Sequence, residues 1–159
     1  MAHGAHDPLA LSGAVVMSAI ESRSWADLVG LPYAELGRSR AGVDCWGLVR
    51  LAFAELAGID LPSYADGYLS TDDRAEICGL IVGAKGNGAW SAVASTEVKP
   101  MDVVVFRRGR FDSHVGLVVN PSRHLMVHAG GHGSRAELWT GNLWLPRLVG
   151  FWRHRDLMT

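Results

Sequence analysis

The sequence predicts an α+β domain with helices packed on an antiparallel sheet. Three observations lead there. The first half of the chain carries helical spacing, the second half carries short β-branched runs, and tight turn signals separate those runs. Helices first and a strand meander second is the order of an α+β fold.

The 159 residues suit one domain with a real core and are too few for two. We therefore read 1–159 as a single domain, with 1–24 as an N-terminal helical extension. Hydrophobic residues make up 48% and charged residues 19%, which excludes a disordered chain. The formal charge of -1 gives no basic field for nucleic acid.

Asp7 and Pro8 are a cap and first-turn pair for a helix over Pro8 to Ser22. The apolar run Leu9 to Ile20 has no Lys or Arg before it, unlike a secretory leader, and is too short to cross a bilayer. The expectation is a protein made in the cytoplasm without a signal peptide and without membrane insertion. "DCWGLVRLAFAELAG" predicts a helix over Cys45 to Ala57, with Gly58 as its C-terminal stop. Ser70 caps a third candidate, "STDDRAEICGLIVGAKG", in which Cys78 reads as core. Gly83 to Thr96 reads as a connection. Strands are predicted at Asp102–Phe106, His114–Val119, His124–Ala129 and Leu148–Arg153.

Cys45, Leu48, Val49, Ala52 and Leu56 share one helical face, so Cys45 begins the buried stripe. A helix N-terminus offers unpaired N–H groups and positive partial charge, which favour a thiolate and suit an oxyanion. Asp44 fits as the cap. The plainer reading is a small buried hydrophobe. A nucleophilic cysteine needs a histidine. Of the seven, His3 and His6 lie near the start, His154 sits between arginines, and His132 lies in a Gly-rich loop. His124 begins a strand. His114 and His128 lie on the two strands joined by "NPSR". If paired residue numbers add to 242, the two are directly opposite with Cβ atoms about 5 Å apart. If they add to 243, the rings lie on opposite faces. The first register yields a triad of thiol, base and orienting imidazole. A zinc site of one Cys and two His is the other reading. It lacks CxxC or HxxxH spacing, so no metal or cofactor is expected.

Four stretches resemble the NlpC/P60 cysteine peptidases, a papain-like family that cleaves peptidoglycan stem peptides. They are "VGLPYAELGRSRAGVDCWGLV", "VKPMDVVVFRR", "DSHVGLVV" and "LMVHAGG", in the family's order across residues 25–153. The resemblance implies Cys45 as nucleophile, His114 as base and His128 as orienting residue. It implies that Tyr33 lies near the oxyanion and that Asp44 and Ser113 line substrate subsites. Trp46 replaces a family serine that helps bind the stem peptide. Leu36-Gly37 replaces Gly-Gly, and Met101 replaces a turn glycine.

The implied activity is cleavage of an amide next to D-Glu, towards diaminopimelate. The "W-x-D-L-V-G-x-P-Y" and terminal "G-F-W-R" segments are similar to the branch encoded with bacteriophage tail genes. That branch implies tail-tip partners and action on the cell wall. Two alternatives remain: a papain-like amidase or acyl-processing enzyme with another substrate, and a tail-tip structural protein that keeps the fold for assembly.

Overall fold

The structure, a computed structural model, describes residues 24–65, 88–109 and 111–158. A small hairpin of β1 (Arg38–Ser39) and β2 (Gly42–Val43) leads into helix α1 (Cys45–Ala52). The strands β3 (Trp90–Val93), β4 (Val103–Arg108), β5 (Phe111–Asn120), β6 (Leu125–Gly130), β7 (Gly133–Leu138) and β8 (Leu148–His154) form one sheet. Their order is β3-β8-β4-β5-β6-β7, and each neighbouring pair is antiparallel. β4, β5, β6 and β8 are the four predicted strands, and β7 is a further strand inserted between β6 and β8 in the chain. β8 returns to the free side of β4.

The sheet is covered on both faces, which explains the unbroken apolar run of β4. Val103 and Val105 point into a core shared with Leu48, Val49, Ala52 and Phe53 of the helical segment. Val104 and Phe106 point the other way, into a cluster with Val118, Met126, Trp139, Trp144 and Phe151. Leu48, Val49 and Phe53 are fully buried, each contributing roughly 1.5–3 kcal/mol. Asp102 locks β4 to β8. Its two carboxylate oxygens accept Arg153 Nε and Nη2, both at 2.7 Å.

The α1 start and stop follow the local signals. Asp44 is extended and its side chain accepts the Gly47 N–H. Gly58 ends the segment at φ 65. The last turn, Phe53–Ala57, widens into a π-helical turn. That turn shifts the stripe, so Phe53 is fully buried while Leu56 is only half-buried.

Three expectations change. The connection expected over Gly83 to Thr96 contains β3, whose Trp90 packs on Phe53 and His154 with ring centroids 5.8 and 4.9 Å apart. The Gly-rich loop after His128 is a tight hairpin turn opening β7, with Gly130 paired to Gly133. His124 is not a strand residue; it ends a short turn over Pro121–Arg123 in the left-handed region at φ 55. The candidate helices at Pro8–Ser22 and after Ser70, with Cys78, lie outside the described residues.

Candidate active site

Cys45 occupies the first position of α1 and is 5% exposed. Helix position alone favours the thiolate, but the surroundings oppose it. Burial, and then the Asp44 carboxylate, push the thiol up to about 11. The Val115 N–H, the Arg108 cation and the Trp46 N–H pull the other way and are outweighed. The resting group is a neutral thiol.

Asp44 is buried, and its Oδ1 accepts the Gly47 N–H at 2.8 Å and Arg38 Nη1 at 2.7 Å. Arg38 Nη1 also donates to the Gly37 carbonyl. The α1 start sits tightly on this corner. A Cβ on Gly47 would stand 1.9 Å from the Gly37 oxygen, so only glycine fits there.

The histidine pair forms by neither of the two registers left open by the sequence. Leu117 pairs with Val127 and Val118 with Met126, so paired numbers add to 244. One further step along the same ladder brings Gly116 opposite His128. The slide is by two residues, so His114 and His128 keep a common face and meet on the diagonal. Gly116 leaves the room for this: a Cβ there would come within 3.4 Å of the His128 Cβ. His114 Nε2 and His128 Nδ1 are 3.0 Å apart and buried. Burial first, then His128 and Arg108, hold His114 well below the ordinary imidazole value. Burial also lowers His128, against the raising effect of Glu137. Both rings rest neutral and share one proton between them.

The rings pack with Phe106 and Trp144. The Trp144 indole stacks on His114 at 5.0 Å and 18°. Cys45 packs in the helix-facing core with Val115, the residue after His114. No hydrogen bond joins Cys45 to either ring among the described residues. The thiol and the imidazole pair are served by adjacent residues of β5, where a bulge interrupts the β4–β5 ladder next to His114.

Tyr33 bridges by its backbone to Val43, two residues before Cys45, and its hydroxyl donates to Glu35 at 2.8 Å. Ser113 Oγ is buried with no hydrogen-bond partner. Trp46 has a visible structural use. Its indole donates to the Pro62 carbonyl at 2.8 Å and its ring packs on Tyr64 and Trp90. Sequence reasoning missed Glu137, Trp144 and Arg108. The alternation of "GSRAEL" after the Gly-rich turn was the available signal for Glu137. His154 is buried against Trp90 and Phe53. Among the described residues, no group of three His, Cys, Asp or Glu side chains is arranged to hold a metal.

A cysteine at the N-terminus of a helix packed on an antiparallel sheet is a papain-like arrangement. The model of the NlpC/P60 family matches residues 30–153, and the chain belongs to that family. It is 29% identical over 105 residues to "Murein DD-endopeptidase MepS/Murein LD-carboxypeptidase" of Escherichia coli (strain K12), covering 66% of this chain and 45% of that protein. The chain thus spans less than half of that relative. An NlpC/P60 family structure from Bacillus cereus superposes with a TM-score of 0.59 at 19% identity, covering 91% of this chain and 40% of that one. RipD from Mycobacterium tuberculosis, described as a non-catalytic NlpC/p60 domain protein adapted to peptidoglycan binding, has a TM-score of 0.53 at 15% identity, covering 90% and 96%. The fold alone therefore does not decide catalysis.

Proposed function

We propose that this domain is a cysteine endopeptidase that cuts an amide of the peptidoglycan stem peptide, between D-Glu and diaminopimelate. The observation that carries the reading is the buried 3.0 Å contact of His114 with His128, set one residue from the backbone N–H that faces the Cys45 thiol. His114 Nδ1 takes the Cys45 proton as the sulfur attacks the scissile carbonyl. The tetrahedral oxyanion is met by N–H groups of the α1 start and by the Tyr33 hydroxyl, released from Glu35. Collapse breaks the C–N bond, and His114 returns its proton to the leaving amine. A water then gives a proton to His114 and hydrolyses the thioester, which restores the thiol. His128 holds the His114 ring, and the unpartnered Ser113 hydroxyl is a ready substrate contact. Cys45 packs on the α1 side of the sheet while both rings pack with Phe106 and Trp144 of the opposite cluster, contrary to the expectation that they face the thiol. This reading therefore requires the His114 ring to turn towards Cys45 when substrate binds.

The tail-gene likeness of the sequence supports delivery by a phage or prophage tail to the cell wall, with tail-tip proteins as partners. The test is digestion of purified sacculi with mass analysis of the fragments. New D-Glu carboxyl ends and diaminopimelate amino ends support the reading; cleavage only at other bonds refutes the stated specificity. A second reading is a module that binds peptidoglycan without cutting it. The protonated, packed Cys45 with no bond to His114 favours it. Sacculus binding without any fragment release would select it.

A further inference from the structure

The buried polar chain does not end at His128. Glu137 on β7 stands opposite Met126 and diagonal to His128, whose direct partner is Arg135. The Glu137 Oε2 lies 3.2 Å from His128 Nε2 and accepts the Trp144 indole N–H. Its Oε1 is held by Arg135 Nε at 2.7 Å. His128 Nε2 is buried and makes no well-aligned hydrogen bond in the resting structure, so a small ring rotation towards Glu137 is its one route to a partner among the described residues. Trp144 ties both ends together. It stacks on His114, meets His128 edge-on at 4.9 Å, and anchors the carboxylate.

Proton direction follows from donor and acceptor inventory. A neutral imidazole has one N–H and one lone pair, and an ionised carboxylate only accepts. Facing Glu137, His128 must carry its proton on Nε2. Its Nδ1 is then an acceptor, so His114 must donate from Nε2. That leaves the lone pair of His114 on Nδ1, the atom that takes the Cys45 proton. With the opposite tautomers, His114 Nδ1 would carry a proton and could not act as base.

We propose that Glu137 is a positioning residue that sets the tautomers of His128 and His114, and that Trp144 holds it in place for this. The relay runs diagonally across β5, β6 and β7. It rests on the reading of His114 as the base, and extends it by a residue that touches neither substrate nor thiol. Glu137 also stabilises the positive charge that reaches the imidazole pair during the reaction.

The test uses the ¹⁵N-labelled full chain and reads ring tautomers by NMR beside stem-tetrapeptide kinetics. Wild type should show Nε2–H tautomers for both histidines. Glu137→Leu should give mixed tautomers and lower kcat roughly 10–100-fold, with KM changed by less than about twofold. Trp144→Phe should move both readouts in the same direction by less. Glu137→Gln offers an amide oxygen to His128 and should keep the tautomers. It lacks the charge, so the acid limb of its pH–rate profile should move to lower pH. Unaltered tautomers in folded Glu137→Leu would overturn the proposal. Should that variant not fold, ¹⁵N-detected imidazole titrations of Glu137→Gln that stay at the wild-type pH would overturn it. Tautomers need no substrate, so a chain that cleaves no stem peptide would sink the proposed function and leave the relay test intact.

Discussion

Replacing Asp44 by Asn separates two things this carboxylate does. The side chain is buried, and Oδ1 accepts from both Gly47 N–H and Arg38 Nη1. Asn keeps an acceptor oxygen in place and removes the charge. A hydrogen bond to a charged group contributes about 1 kcal/mol more than a neutral one, so two such bonds set the loss at about 2 kcal/mol. Asp44→Ala also removes the cap and leaves the mostly buried Arg38 guanidinium without this carboxylate, which raises the loss to roughly 3–5 kcal/mol. Against a typical total of about 5–15 kcal/mol, the alanine variant is near the limit of folding. The thiol should respond in the opposite sense. Asp44 is the second cause of the raised Cys45 value, after burial, so Asp44→Asn should lower the thiol from about 11 while burial still holds it up. Urea unfolding reads the first effect. The pH dependence of iodoacetamide alkylation, in a Cys78→Ser background, reads the second. An Asp44→Asn protein of wild-type stability, or one whose alkylation midpoint stays or rises, would refute this reasoning.

Gly47→Ala should destabilise by roughly 1–3 kcal/mol in urea titration, because its Cβ would overlap the Gly37 carbonyl. The pH–rate profile should rise through an acid limb below the ordinary imidazole range, as the pair loses the proton that His114 resists taking. It should fall on an alkaline limb towards about 11, as the thiol ionises; both limbs belong to the coupled pair. Stability should follow the same groups. His114, His128 and His154 are lowered in the fold, so their contribution is present above about pH 6.5 and is lost as pH falls. Cys45 is raised, so its contribution is present below the ordinary thiol value and lost as pH rises through about 11. Thermal unfolding midpoints measured across pH should therefore drop on both sides.

What the sequence made legible was local. The Asp44 cap, the helical spacing from Cys45 and the Gly58 stop are all within one segment, and the structure keeps both ends of it. The common face of His114 and His128 was legible as parity. The two-residue slide was not, because it depends on a left-handed His124 in the "NPSR" turn. β7 escaped notice because "GSRAEL" is polar and follows glycines, and Glu137 went with it. The thiol state escaped for another reason. Helix position can be read from sequence, whereas the burial that outweighs it is tertiary. Departures from the family pattern did carry meaning: Leu36 and Met101, which stand in glycine positions, adopt φ of 57 and 75. These left-handed backbones, which favour glycine, carry a steric cost of roughly 1–2 kcal/mol each.

Single-turnover cleavage of a stem tetrapeptide by the wild-type chain and by Cys45→Ala tests the central claim most directly. The account predicts release of a D-Glu-terminated fragment by the wild type and none by Cys45→Ala at equal protein concentration and equal fold. Cleavage by Cys45→Ala at the wild-type rate would contradict it, since the sulfur would then form no bond in the reaction.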